Sequence, residues 1–372
     1  MNNVYNWFND SFFTEPLSPA CKMCAQGSKM VVLLTGLCPE SCFYCPLSQQ
    51  KIRKDRIFAN EWELDNEEDT SKLIQEAKYI DATGAGFTGG DPLVVWKRAN
   101  EYIKLLKEEF GNSFHIHLYT SGKKNSDKIN DLVSSGLDEI RFHPMLNYWD
   151  KMNISRIKNE ILSSLKTNID VAIEIPVIPD KKQDILSLIK WADELKIKWI
   201  NLNELEFSET NADALNSLGF TVKDDISAAV KGSEELAKKI INESKNLDLD
   251  IGIHYCSSSF KDGIQLRNRI LRRAKNVSKD HEIITEDGTL IKGIITSKKI
   301  PVNTIKEFLI KKYKIQENKI FINKEKKQVE LDVITLEKIS KELMKYNLSC
   351  FMVEVYPTAD ALEVEKIPLP FN

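Results

Sequence analysis

The chain has no apolar run long enough to cross a membrane as a helix. Its N-terminus lacks a basic stretch followed by an apolar one, so no secretory leader is expected and a cytoplasmic location is. Charge of one sign is also missing. Lys plus Arg number 52 and Asp plus Glu 55, a net of −3, which gives no global argument for nucleic acid or for a membrane surface. Cysteine is present but not as a disulfide framework. There are seven, an odd number, and most cluster at metal-ligand spacing, which suits a reducing compartment. The abundance of Lys, Ile, Asn and Glu is not read as a functional signal.

The 372 residues, 42% hydrophobic, can bury one large core and a smaller one. Apolar strand-like runs alternate with helical patterns from Met30 onward. The strands are read at Met30 to Thr35, Gly84 to Thr88, His115 to Thr120, Glu139 to Pro144, Val171 to Val177, Trp199 to Phe207 and Asp250 to Tyr255. Helices are expected between them, and a basic helix from Gln265 to Asn276 follows. This spacing implies parallel βαβ units in an α/β fold, a partial (βα)6 or near-complete TIM-like barrel with functional residues at the C-terminal strand ends. Spacing alone leaves an open doubly wound sheet as the other arrangement. Residues 1–29 read as an N-terminal extension, 30–276 as the barrel, and 277–372 as a small α+β domain containing a hairpin turned at Glu286-Asp287-Gly288. The charged stretch 48–69 reads as a surface excursion.

The chain is organised around Met30 to Leu47, MVVLLTGLCPESCFYCPL. An apolar strand breaks at Gly36 and delivers Cys38, Cys42 and Cys45 in the spacing C-x3-C-x2-C. Three thiolates on one loop make a soft-ligand site. Four cysteines would close a zinc site or a [4Fe–4S] cluster, whereas three leave one iron open to a small molecule. The competing reading is a zinc knuckle that borrows a distant fourth ligand. With aromatic Tyr44 before Cys45, the motif resembles the Cx3CxΦC signature of the radical S-adenosylmethionine (SAM) superfamily. More closely, the chain resembles archaeal radical SAM proteins related to pyruvate formate-lyase activating enzyme. The resemblance implies a [4Fe–4S] cluster on the three cysteines, SAM on the open iron, an electron donor such as ferredoxin or flavodoxin, and oxidoreductase-type radical chemistry. It implies no substrate and leaves the catalytic side chain unassigned.

Gly89-Gly90-Asp91-Pro92 ends the second strand. The glycines allow close backbone approach, and the resemblance implies contact with the methionine amine of SAM. By itself GGDP is an ordinary turn. Asp91 stands where the family pattern has Glu, which favours a backbone role over a side-chain one. Thr120 and Ser121 could bond ribose or carboxylate oxygens, or merely cap a turn. Arg141 could pair with a ligand carboxylate, or face outward. Polar Glu174, Asn201, Asn203, Glu204 and Glu206 interrupt apolar strands. Alternation puts Asn201 and Asn203 on one face and Glu204 and Glu206 on the other, without saying which is inward. Cys21 and Cys24, in CKMC, and Cys256 at a strand end suggest an auxiliary iron–sulfur or zinc site, with buried free thiols as the plain alternative; His254 shares the strand face of Cys256. Cys350 reads as core. The segment carrying Arg267, Arg269, Arg272, Arg273 and Lys275 reads as a solvated or phosphate-contacting helix face, which would serve an RNA substrate.

The leading functional reading is hydrogen abstraction from an unidentified substrate through a 5′-deoxyadenosyl radical. Glycyl-radical-enzyme activation and RNA modification are its variants, and a non-catalytic metal-binding scaffold is the alternative of another class.

Overall fold

The computed structural model describes residues 3–224 and 227–370. It forms two compact units, Met1–Leu266 and Arg267–Asn372. The first begins with strands β1 (Val4–Asn6) and β2 (Phe12–Thr14) and helix α1 (Pro19–Ala25). Ser18 caps α1 by accepting from the Ala20 amide, and Pro19 supplies a preset first turn. There follow β3 (Lys29–Thr35), β4 (Ile57–Ala59), β5 (Trp62–Leu64), α2 (Thr70–Tyr79), β6 (Gly84–Gly89), α3 (Trp96–Phe110), β7 (His115–Thr120), α4 (Ile129–Ser134) and β8 (Glu139–Phe142). The unit continues through α5 (Ile157–Ser164), β9 (Asp170–Val177), α6 (Lys182–Glu194), β10 (Trp199–Glu204), α7 (Ala212–Ser217), α8 (Ser233–Ser244), β11 (Gly252–Cys256) and the single turn α9 (Ser258–Phe260).

These strands make one 11-stranded sheet in the order β1-β2-β11-β10-β9-β8-β7-β6-β3-β4-β5. The stretch from β3 through β6 to β11 is parallel throughout. Each of these strands lies beside its predecessor and the order never reverses. That is the winding of a barrel, and it excludes the doubly wound sheet, which needs a reversal. The sheet ends on antiparallel pairs at both edges, so the barrel is partial.

The strands alternate by residue, and the two faces differ. Met30, Val32, Leu34, Phe87, Leu118, Phe142, Ile173, Ile175, Leu202 and Tyr255 are buried in a single core with residues of the outer helices, among them Leu73, Ile103, Ile189 and Ile240. The residues between them, Lys29, His117, Glu139, Arg141, Glu174, Asn201 and His254, belong to the opposite, inner face. The core therefore lies outside the barrel wall, and the buried charged and amide side chains of the strands gather on the inner face, among a few apolar ones such as Ala172 and Trp199.

Two segments differ from the sequence reading. The charged stretch 48–69 is not only a surface excursion. It contains the β4–β5 hairpin, which pairs with β3 through Val32↔Ala59 and Leu33↔Phe58 and buries Ile57, Phe58, Ala59 and Leu64. The N-terminal segment, without visible periodicity, adds β2 to β11 through His254↔Phe13 and Tyr255↔Phe12. Three-residue strands are too short to display alternation in a sequence.

The second unit comprises α10 (Arg267–Val277), β12 (Ile283–Ile284), β13 (Leu290–Thr296), α11 (Val302–Tyr313), β14 (Phe321–Asn323), β15 (Gln328–Leu331), α12 (Val333–Leu343), β16 (Ser349–Val355) and β17 (Glu363–Leu369). Its antiparallel sheet runs β14-β15-β13-β16-β17, with β12 on β13. Helices α11 and α12 bury Ile305, Leu309, Leu336 and Leu343 against Ile295, Val329, Leu331 and Cys350.

A buried ionic cluster lies in this unit. Glu330 accepts from Gln328 (2.9 Å), Asn323 (3.1 Å) and Lys292 (3.0 Å), with His281 Nε2 at 3.3 Å. Lys292 also donates to Glu282 at 2.9 Å. Burial alone would raise the Glu330 pKa, but His281, Gln328 and Lys292 together hold it well below the usual carboxylate range. A depressed folded-state pKa contributes stability that is present above the ordinary carboxylate value of about 4 and is lost as pH falls below it. Lys292→Met leaves two carboxylates buried without their cation and should destabilise this unit by about 3 kcal/mol. Hydrogen exchange resolved to residues 267–370 measures this. The loss should shrink as pH falls, beginning above the value at which wild-type Glu330 titrates, because removing the ammonium raises the Glu330 pKa and the buried carboxylate of the variant takes up a proton earlier.

Candidate active site at the C-terminal rim of the barrel

The cluster loop leaves the end of β3 through a tight crossing. At Gly36 a Cβ would lie 1.7 Å from the Lys51 carbonyl oxygen, so only glycine fits. The Gly36 amide donates to Lys54 O (2.8 Å), and the Arg53 amide donates back to Gly36 O (2.8 Å). Beyond it Cys38 is exposed, while Cys42 and Cys45 are partly buried. The Cys45 amide closes the turn onto Cys42 O at 3.1 Å, and the Glu40 amide donates to Cys38 Sγ at 3.5 Å. Three thiols on a loop held this way fit an iron–sulfur cluster by their donor chemistry. A cavity of about 450 Å³ opens beside Cys38, lined also by residues including Glu40, Arg53, Val94 and Lys124.

Tyr44 is buried, and its hydroxyl lies 2.9 Å from His143 Nε2. His143 Nδ1 lies 2.8 Å from the Glu174 carbonyl oxygen. A carbonyl only accepts, so Nδ1 carries the proton and Nε2 accepts from Tyr44. Burial lowers the His143 pKa, which keeps this neutral form. The loop backbone is also held by two residues that sequence reading did not single out. Asn211 donates to Tyr44 O (3.2 Å), and Thr210 donates to Cys45 O (3.1 Å) and Leu47 O (2.7 Å). They precede α7 and resemble ordinary helix-capping residues, so no local signal marks them. His143 lies just past the end of β8, and its bond to Tyr44 joins residues 99 apart in sequence, so no local pattern reveals it.

The Gly89-Gly90-Asp91 turn packs directly on the cluster loop. Gly90 N donates to Thr35 O (2.7 Å), and Asp91 N donates to Leu37 O (2.8 Å). A Cβ on either glycine would lie 2.2 Å from a backbone oxygen, of Thr35 for Gly89 and of Leu37 for Gly90. Gly89 also has φ +129°. The Asp91 carboxylate is fully buried. It accepts from Thr120 Oγ1 (2.8 Å), Leu93 N (3.0 Å), Ser121 Oγ (2.6 Å) and Ser121 N (3.1 Å). Burial pushes its pKa up, and the bonds from Ser121 and Thr120 oppose that rise. Asp91, Thr120 and Ser121 are thus brought together as a tie between the β6 and β7 turns.

The inner face settles the polar strand residues. Asn201 and Asn203 face inward and donate to the Glu174 carboxylate at 3.0 and 2.8 Å. Glu204 takes the other face and accepts from the Ser258 amide (2.7 Å), while Glu206 pairs with Lys261. Arg141, for which the alternatives are a ligand carboxylate and an outward position, faces inward and is engaged by groups of the protein itself. Its guanidinium is held by Glu139 (2.5 Å), Glu174 (2.8 Å) and Ser18 (3.0 Å) and is 3% exposed. Cys21 joins this network beside Arg141 and Asn201. Burial pushes the thiols of Cys21, Cys24 and Cys256 up, that of Cys24 to about 11, which is the opposite of a reactive redox thiol. In the second unit, Arg267 is engaged with Asp287 and Glu286 O, and Arg273 is buried, so α10 is not a plain phosphate-binding stripe.

A parallel partial barrel that carries three cysteines on the rim loop after its first parallel strand defines a class of barrel enzymes built to hold an iron–sulfur cluster open to a ligand. The Radical SAM superfamily model matches residues 32–202, and a model described as a domain of unknown function (DUF8061) matches residues 288–369. A Methanocaldococcus jannaschii protein, named provisionally as a glycyl-radical enzyme activating enzyme, is 42% identical over 378 residues, covering 99% of this chain and 96% of that one. A biotin synthase of Shewanella baltica is 31% identical over 121 residues, covering 30% of this chain and 31% of that one. Among solved structures, SuiB of Streptococcus suis bound to S-adenosylmethionine aligns at a TM-score of 0.42 and 12% identity. That alignment spans 64% of this chain and 53% of the other, a likeness too low to bear on function. The chain belongs to the radical SAM superfamily and is a radical SAM enzyme. Membership implies a [4Fe–4S] cluster and SAM. No helix among the described residues is long and apolar enough to cross a membrane.

Asp91→Ala removes the acceptor for four donors and should destabilise the barrel by about 2–3 kcal/mol. SAM affinity should fall with it, whereas Asp91→Asn, which keeps one oxygen, should lose less of both. Thermal unfolding and equilibrium dialysis with labelled SAM measure the two effects.

Proposed function

We propose that this radical SAM enzyme activates a glycyl-radical enzyme by abstracting a hydrogen atom from a main-chain glycine of that partner. The observation that carries the reading is the M. jannaschii relative, similar along 99% of this chain and named for that activity. In this reading Cys38, Cys42 and Cys45 hold the cluster. When bound and reduced by one electron from an electron donor, the cluster and SAM would supply a 5′-deoxyadenosyl radical for hydrogen abstraction, with methionine and 5′-deoxyadenosine as products. The side chains of this protein set the geometry. Tyr44 and His143 fix the cluster loop against β8 and β9, and Thr210 and Asn211 hold its far side. The backbone of Gly89 and Gly90 offers the SAM amine a contact, while the Asp91 side chain is engaged with Thr120 and Ser121. Arg141 is left out of SAM binding because its guanidinium is already taken. The exposed rim near Cys38 is where an electron donor such as ferredoxin or flavodoxin would approach. RNA modification has less behind it, since the basic helix directs Arg267 to its own unit and buries Arg273.

The test is anaerobic incubation of reduced enzyme with SAM and a glycyl-radical enzyme of the same organism. A glycyl EPR doublet on the partner, with stoichiometric 5′-deoxyadenosine, is expected. SAM cleavage without a partner radical would refute the activase reading and leave the superfamily assignment standing.

A further inference from the structure

Helix α1 brings C-x2-C to the inner face of the barrel. Cys21 lies there with Asn201 Nδ2 at 3.4 Å and an Arg141 nitrogen at 3.6 Å from its sulfur. Ala25, next to Cys24, packs in one small cluster with Cys256 at the end of β11 and with Phe260. Gln265 donates to Cys256 Sγ at 3.5 Å. Two of the three sulfurs thus have N–H donors directed at them, the kind of outer support that holds metal-bound thiolates.

His254 is the independent observation. It sits two residues before Cys256 and shares its strand face, in register with Asn201, whose side chain touches Cys21. It is 3% exposed, and neither ring nitrogen has a hydrogen-bond partner. Its ring neighbours are aromatic, Trp7 at 5.6 Å and Phe260 at 6.4 Å. A buried imidazole with both nitrogens unpaired is costly unless something binds one of them.

We propose that Cys21, Cys24, Cys256 and His254 form a second metal site that holds one zinc ion and fastens the N-terminal helix to β11. Three sulfurs and one imidazole are a closed structural zinc set, and C-x2-C supplies its usual paired half. Among the described residues, the trio of candidate donors that lies within 4.8 Å of one another is His281, Glu282 and Glu330, so the donor atoms of the four proposed ligands are not all that close and would have to draw together on the ion. The His281 trio is set aside because the Lys292 ammonium bridges Glu282 and Glu330. The zinc would link the segment before β3 to the last barrel strand, at the edge where the barrel fails to close.

The experiment is metal analysis of the full chain, purified anaerobically without chelators. About one zinc per chain is expected, retained when Cys38, Cys42 and Cys45 are all changed to Ala. It should fall at least tenfold in Cys21→Ser/Cys24→Ser and in Cys256→Ser. His254→Ala should bind zinc at least tenfold more weakly against a competing chelator, and His254→Cys should restore it. Cobalt(II) added to zinc-free protein should give tetrahedral d–d bands with thiolate charge transfer, changed in His254→Cys. Folding of the serine variants is avoided as an issue by titrating wild type with a mercurial, which should release zinc as Cys21, Cys24 and Cys256 are modified, read by mass spectrometry. Wild type without zinc, zinc unaffected by these changes, or about eight irons in place of zinc would each overturn the proposal.

Discussion

Two backbone hydrogen bonds, Gly90 N to Thr35 O and Asp91 N to Leu37 O, hold the cysteine loop on the rim, and most of the site depends on them. They form only because three Cβ atoms are missing. Side chains at Gly36, Gly89 or Gly90 would collide with backbone oxygens of Lys51, Thr35 or Leu37. Backbone cannot yield to such contacts as a flexible side chain can, so the clasp is rigid. Asp91 then transmits it sideways, since its carboxylate gathers Thr120 and Ser121 from the next strand end. On the opposite side Tyr44, His143 and the Glu174 carbonyl extend it across β8 to β9. The cluster loop is therefore positioned by neighbouring strand ends and by the residues before α7, not by its own short sequence.

The same constraint shapes the interior. A wall whose outer face holds the apolar core can afford a polar inner face if those groups pair with one another. Arg141 between Glu139 and Glu174 achieves that pairing, with Asn201 and Asn203 completing Glu174. Lys29 follows the same logic lower down. Burial lowers its pKa to about 7, and it lies against His115 Nδ1 at 2.7 Å. Buried charge is expensive unless partnered, so removing one member strands the others. Helix α1, through Ser18 and Cys21, is part of this partnership and not an appendage.

Much of the fold was legible because its parallel strands are long enough to show apolar blocks separated by helical patterns. The rim position of the cysteines and of the glycine turn followed from those blocks. What escaped were elements of three residues, β1, β2, β4 and β5, which carry too few positions to show a period. Side-chain partnerships over long separations escaped as well. Arg141 reads as a cation open to a ligand carboxylate until Glu139 and Glu174 are placed beside it, and the partners that occupy the Asp91 side chain, Thr120 and Ser121, appear only when the β6 and β7 ends are brought together. Thr210 and Asn211 have the composition of a helix start, so their hold on the cluster loop appears only in three dimensions.

The central claim, that the loop after β3 holds one SAM-binding cluster, is tested most directly by iron and sulfide analysis with EPR after anaerobic reconstitution. Wild type should hold about four irons, with a reduced-cluster EPR signal that changes when SAM is added. Cys38→Ala/Cys42→Ala/Cys45→Ala should lose that iron and that signal together. A triple variant that keeps its iron, or a wild-type signal indifferent to SAM, would contradict the account.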